Sequence, residues 1–488
     1  MIIFLQALNI LNVALGVLFH LLLLRTFGVS VETDTFFLAT AIVQFGSSFL
    51  TGFLLDLYVP MYHEIKAQSE TNAQQFSGAV FILALGLSIL LLLLILLAAP
   101  LLVSLFASGF SEEKMLAAEH TLRILSLSVP FTVATLVLNS TLNAHLIMAV
   151  TYWTNLLPPL FGMAAVVLIS STYGLDGVLA ALVVASAVAF AGVLLYYRKQ
   201  FGWHWANPLH VPAVRSLLRQ NIPVRVGTLV YSLRGPLTTN MLSFFPTGSL
   251  TLYQYADKIL TTLFSVANAP ILQILYMKAS TLLPQSKLEE LKGVLKATVR
   301  SNIALTVALL IPTVTLFQPV FGALLHQRIT PEELSTMFVL FLALVPFYLT
   351  LAFEMPFVNI TLALKRGNQV LRIGTTFVLL YGLFLYAGVG ELGIYAIPVA
   401  LFLAQLQNAV SYARFVGRKI PVFDREMQII LGRFLVLIAA LLVLNLWLQS
   451  DRVLSLYANL LIAGMWAVVA GNETVASFRF ITTRGEIR

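Results

Sequence analysis

Residues 78–106 read GAVFILALGLSILLLLLILLAAPLLVSLF, twenty-nine positions without one charged side chain. At 1.5 Å per residue a helix of that length reaches about 43 Å, more than the ~30 Å of a bilayer's hydrocarbon core. Lipid is therefore the natural solvent for this run. The composition extends the conclusion to the whole chain, because 59% of its 488 residues are hydrophobic and only 10% are charged. A soluble domain carries roughly 25% charged residues, so a water-facing surface could not be covered here. The apolar runs are continuous rather than alternating, which excludes a transmembrane barrel.

About 20 apolar residues make one helical span. That rule places spans near 4–24, 35–58, 78–106, 121–143, 150–170, 175–197, 222–244, 251–277, 300–323, 334–360, 370–388, 393–413, 428–449 and 453–471. The expected fold is an all-α integral membrane protein of about 14 transmembrane helices. The third and tenth spans are long enough to tilt or to extend into the interface.

Basic residues set the orientation. With the N-terminus inside, the inner loops and tail hold nineteen Lys and Arg residues and the outer loops only four, Arg25, Lys114, Arg328 and Arg452. This asymmetry places both termini in the cytoplasm. The net charge of +8 is spread between apolar runs rather than gathered in one aromatic-laced patch, so nucleic acid is not a partner. The chain has no cysteine, which excludes disulfides, thiolate metal sites and a cysteine nucleophile. The start, Met1-Ile2-Ile3-Phe4, lacks a basic n-region and reads as a retained helix. The two longest inner loops, 198–221 and 278–299, are basic enough to form amphipathic surface helices.

A weak internal repeat relates the fourth and tenth spans. Ser128-Val129-Pro130-Phe131 begins one helix, and Leu344-Val345-Pro346-Phe347 begins another, 216 residues later. That offset is six helices, an even number, so two six-helix lobes would share one orientation. The expected division is 1–220 for an N-lobe with a basic linker, 221–413 for a C-lobe, and 414–488 for two extra helices and a cytoplasmic tail.

Ionisable groups inside spans are costly and mark candidate sites. Arg234 lies twelve residues into the seventh span, about 18 Å deep, and Gly235-Pro236 after it should kink the helix. Lys258 lies in the eighth span, with Asp257 turned about 100° away on the helix. Asp34 opens the second span, where a helix N-cap competes with a functional role. Asp56 and Glu354 fall near inner helix ends and read as interfacial carboxylates, Arg225 as a topology determinant, and His20 as a packed core histidine.

Several of these residues resemble a known family. Arg25-Thr26-Phe27-Gly28, then Thr33-Asp34-Thr35-Phe36-Phe37 and Val59-Pro60, look like the opening of the MurJ/MviN lipid II flippases. Leu105-Phe106-Ala107-Ser108-Gly109-Phe110, Leu142-Asn143-Ala144 and Tyr255-Ala256-Asp257-Lys258 continue the match in order. The resemblance implies the multidrug/oligosaccharidyl-lipid/polysaccharide exporter fold, two six-helix lobes around a cavity plus two further helices. It also implies cavity arginines that meet a diphosphate. Asp34 and Lys258 fall on family motif positions, Lys258 where the family usually has Arg. Phe19 and Ser47-Ser48 stand where the family places other arginines.

The expected activity is a flippase in the cytoplasmic membrane for a polyprenyl-diphosphate-linked saccharide, lipid II or a related envelope-glycan precursor, working by alternating access. An O-antigen or exopolysaccharide type of oligosaccharide-lipid flippase is the alternative. Candidate substrate-binding residues are Arg234, Lys258, Asp34 and Arg25. No cofactor or metal is expected, although an ion gradient or the membrane potential could drive turnover. The partners would be the lipid-linked saccharide, membrane lipids and the enzymes of envelope-glycan synthesis. A cation-coupled drug exporter is a weaker reading. So is a membrane glycosyltransferase using Glu32-Thr33-Asp34 as an acidic metal motif.

Overall fold

The structure is a computed structural model. It describes residues 2–424 except 56, 146, 203–205, 284, 326–327 and 365, together with Gln428 and Gly432. At 2–7, 9–10, 53 and 221–224 it describes only the backbone. The chain divides into two compact units, Met1–Thr251 and Leu252–Arg488.

The first unit holds α1 (Ile2–Phe27), α2 (Val31–Leu55), α3 (Tyr58–Gln68), α4 (Glu70–Phe106), α5 (Glu112–Ser126), α6 (Val129–Ala144), α7 (Ala149–Leu168) and α8 (Ser170–Phe201). It continues with α9 (Pro212–Ser232), α10 (Arg234–Ser243) and the first turn of α11 (Ser249–Leu282). The charge-free run that decides the fold is α4, 37 residues long. Its Leu97, Leu101 and Leu105 are 82%, 67% and 64% exposed, which only a lipid surround makes tolerable.

One group of polar side chains inside the unit pairs its hydroxyls, because an unpaired hydroxyl in hydrocarbon costs several kcal/mol. Tyr58 and Thr141 hydroxyls meet at 2.6 Å, and Ser77 lies 3.0 Å from Thr141 and 3.1 Å from the Tyr197 hydroxyl. Close approach also needs a missing side chain. A Cβ on Gly162 of α7 would lie 2.6 Å from the Phe19 ring of α1, so the two helices pack there through the glycine.

The second unit holds the rest of α11, then α12 (Leu288–Leu325), α13 (Pro331–Ala363), α14 (Gly367–Leu392) and α15 (Ala396–Gly417). Its core gathers Leu291, Val294, Leu295 and Val299 of α12 with Phe357 and Ile360 of α13 and Tyr412 and Val416 of α15. Thr330 and Glu333 form a reciprocal cap at the start of α13.

Twelve expected spans fall on helices, the fourth on α5–α6 and the seventh on α9–α10. Among the described residues, nine stretches are long and apolar enough to cross a membrane, and α9–α10 is not among them. The spans at 428–449 and 453–471, Asp56, and nearly all of the tail lie outside the described residues.

Two expectations change. The basic stretches do not form separate surface helices among the described residues. They are taken up by α8, α9, α11 and α12, whose ends run beyond the apolar runs. The chain also does not begin a helix at Leu344, because α13 passes through Pro346 without a break. The proline has no N–H to donate, and Thr350 bonds the Pro346 carbonyl at 2.8 Å from its side chain. In the first unit the matching proline, Pro130, stands at the start of α6, just past a break at Leu127–Ser128.

Reporter fusions placed after Arg219, Lys292 and Arg418 should read cytoplasmic, and fusions after Lys114 and Arg328 external. Reversal at two or more of these sites would overturn the orientation set by the basic residues.

Candidate functional site

Asp34 lies in the first turn of α2 and is 1% exposed. The cap of α2 itself is made by Ser30, whose hydroxyl accepts the Thr33 N–H at 3.4 Å. The Asp34 carboxylate looks elsewhere. Its Oδ2 takes the Lys114 ammonium at 2.6 Å and the Gly248 N–H at 2.7 Å. Its Oδ1 takes the Thr251 N–H at 2.9 Å and the Thr251 hydroxyl at 2.6 Å. The side chain read as a possible N-cap of α2 therefore caps α11, a helix 217 residues away. The pairing is physically favourable, since a helix start offers unsatisfied N–H groups and a positive dipole end to a carboxylate.

Each partner is placed by local chemistry. Ser111 accepts the Lys114 N–H at 3.4 Å and starts α5, and the Lys114 ammonium lies 4.0 Å over the Phe110 ring. Gly248 has φ +93°, and a Cβ there would meet Val29 at 2.0 Å, so this position needs glycine on both counts. The end of α10 is tied to the same region. Asn240 donates to the Leu105 carbonyl at 3.0 Å and to Ser108 at 2.9 Å, and the Gly109 N–H donates to Ser243 at 2.9 Å. These bonds clasp the α10–α11 connection onto the ends of α2, α4 and α5.

Arg234 opens α10, one residue past the break that ends α9. Pro236 lacks the N–H that would bond the Ser232 carbonyl, so the helix stops there as its sequence demands. The guanidinium donates to the Tyr231 hydroxyl at 2.7 Å and lies 4.6 Å from that ring's centre. Arg25 is exposed in the last turn of α1, where the helix dipole favours a cation. Lys258 belongs to the second unit and is exposed. Beside it, Asp257 accepts from the Tyr348 hydroxyl at 2.7 Å. His20 stacks on Phe37 at 5.9 Å, as packing predicts. The Arg225 guanidinium lies against Gly52 of α2, where a side chain would collide with it.

Glu354 differs from its expected interfacial place. It is 2% exposed in α13, with Gln405 and Asn408 of α15 donating to its two oxygens, the second at 3.0 Å. Its neighbours along the sequence gave no sign of the two amides that make its burial tolerable. Glu32 and Asp34 do not form a metal pair. Two positions apart on a helix they point about 160° away from one another: Glu32 accepts from Ser30 at 3.2 Å while both Asp34 oxygens are occupied. Lys114, Gly248 and Thr251 were missed by sequence reasoning. A lone outer-loop lysine carries no mark of a buried partner 80 positions upstream.

The sequence profile described as lipid II flippase MurJ matches residues 23–464. No curated protein matches the chain. A solved lipid II flippase MurJ in an inward closed conformation is 17% identical, with a TM-score of 0.76 over 97% of this chain and 100% of that one. An inward-facing multidrug resistance MATE family transporter of the MOP superfamily is 14% identical, with a TM-score of 0.71 over 84% and 94%. A MOP superfamily transporter from Pyrococcus furiosus is 15% identical, with a TM-score of 0.59 over 84% and 95%. At such identities the structural likenesses carry the fold alone.

Replacing Lys114 by Met should strand the buried Asp34 carboxylate and cost about 3–5 kcal/mol. Adding Asp34→Asn in the same chain should recover most of that loss. Thermal unfolding in detergent measures both, and an unchanged Lys114→Met midpoint would contradict the clasp.

Proposed function

The chain belongs to the lipid II flippase MurJ family, and on that premise we propose that it moves a polyprenyl-diphosphate-linked saccharide across the cytoplasmic membrane by alternating access. The observation that carries this reading is the family match over residues 23–464, nearly the whole chain. The physical task is to carry a charged, sugar-bearing headgroup through ~30 Å of hydrocarbon. A polar path between two lobes would replace the headgroup's hydration while the prenyl tail stays in lipid.

In this reading the lobes follow the repeat, 1–220 and 221–413, with 414–488 outside it. The α10–α11 connection then belongs to the second lobe, and the Asp34 clasp holds it against the first on the outer side. Outward opening has to break that clasp, so Asp34 meets substrate only after Gly248 and Thr251 have left it, while Lys114, in its own lobe, stays beside it. Both termini are cytoplasmic in this arrangement. Membrane lipids and envelope-glycan enzymes are its natural partners, and an ion gradient or the membrane potential drives turnover.

Arg234 is the proposed diphosphate ligand, supported by Lys258 and Arg25. Its support is a position at a helix break inside the expected seventh span, with a guanidinium oriented by Tyr231. A guanidinium offers a bidentate fork to phosphate that lysine cannot copy.

Depletion of a host's lipid II flippase, with this chain supplied in its place, tests the substrate. Rescue supports lipid II, whereas failure at normal membrane abundance supports another glycan lipid. In whichever assay the parent is active, Arg234→Ala should lower activity roughly 10- to 150-fold, matching a lost charge-assisted contact of about 1.5–3 kcal/mol. Arg234→Lys should fall between. Parental activity of an Arg234→Ala variant that accumulates normally would remove Arg234 from the site.

A further inference from the structure

In the second unit, an open cavity of about 810 Å³ lies where α12, α13 and α15 meet the segment after α15. Lys292, Arg414 and Arg418 line it with one carboxylate, Asp424, and its apolar wall includes Phe353 and Phe423. Lys292 and Lys296 are one helical turn apart on α12, as are Arg414 and Arg418 at the end of α15. Like charges at that spacing repel unless an anion sits between them.

The structure already shows one such anion. Asp424 Oδ2 lies 3.7 Å from the Lys292 ammonium and also contacts that of Lys296. Among the described residues, no carboxylate comes within ion-pair distance of Arg414 or Arg418. Asp424 is held in place by its neighbours. Ile420 and Val422 are buried in the core, and Phe423 stacks on Phe357 with ring centres 5.7 Å apart. Gly417 leaves room for that arrangement, since a Cβ there would lie 3.3 Å from the Phe423 ring.

Orientation alone asks for basic residues near inner helix ends. It does not ask for Lys292, Arg414 and Arg418 to converge on one cavity, or for that cavity to have an aromatic and aliphatic wall. We infer that this cavity binds the phosphate of a lipid from the inner leaflet, with Arg414, Arg418 and Lys292 around the oxyanion and the lipid chain along Phe353 and Val410. Basic pockets between transmembrane helices on the cytoplasmic side are suited to anionic headgroups. Asp424 is the internal competitor, occupying the lysine pair until a phosphate displaces it. The site shares no residue with the proposed transport ligands and does not depend on the transport reading.

Phosphatidylglycerol, a polyprenyl phosphate, phosphatidylcholine and inorganic phosphate, each titrated onto the full-length purified chain in neutral detergent, test this by the shift in unfolding temperature. The two anionic lipids should bind saturably and more tightly than phosphatidylcholine or inorganic phosphate, and the tighter of the two identifies the lipid source. Arg414→Gln with Arg418→Gln should weaken apparent affinity about 10-fold or more, as loss of charge-assisted contacts does. Asp424→Asn should strengthen it by a similar factor, a gain that misfolding cannot imitate. Inorganic phosphate matching the lipids would overturn the lipid assignment. Affinity unchanged in both Asp424→Asn and the double arginine variant would overturn the site.

Discussion

A carboxylate that has left water must find donors for both its oxygens, and in this chain Asp34 finds them on two distant segments. Lys114 comes from the start of α5, and Gly248 and Thr251 from the start of α11. Desolvating the pair is costly, and the cost is recovered only when every donor is in place. That requirement draws α2, α5 and the α10–α11 connection together, and with them Arg234 at the other end of α10. It also accounts for compact packing of the first unit through Thr251, beyond the repeat-based lobe limit proposed at residue 220.

The same rule of desolvated charge governs the second unit in three ways. Glu354 is buried with amides of Gln405 and Asn408 on its two oxygens, which ties α13 to α15. Asp257 accepts from the Tyr348 hydroxyl, and Lys258 next to it on the helix is exposed. Asp424 remains partly exposed, where its lysine partners can exchange it for another anion. A transporter needs both kinds of contact: fixed ones that hold helices together, and exchangeable ones where a ligand can compete.

The fold was legible because lipid solvation writes itself into every residue of a span. α4 could be read from twenty-nine uncharged positions alone, and the break before Arg234 from Gly235-Pro236. The clasp was not legible. Asp34 is locally indistinguishable from a helix cap, and its partners are set by tertiary packing, 80 and 217 positions away. Glu354 was misplaced for the same reason, since Gln405 and Asn408 give no sign of facing it until α13 and α15 pack. Pro346 misled in the opposite direction: a proline that begins a helix in one unit is carried inside a continuous helix in the other.

The central claim is that this membrane protein moves the headgroup of a lipid-linked saccharide without altering it. Reconstituted vesicles carrying a headgroup-labelled prenyl-diphosphate saccharide in one leaflet measure that directly, with label accessibility and lipid integrity followed together. The account predicts that label becomes accessible from the opposite side while the lipid stays chemically intact, and that Arg234→Ala slows the process. Chemical conversion of the lipid would contradict it. So would the absence of translocation for lipid II and for other prenyl-diphosphate saccharides, by a chain shown to be folded.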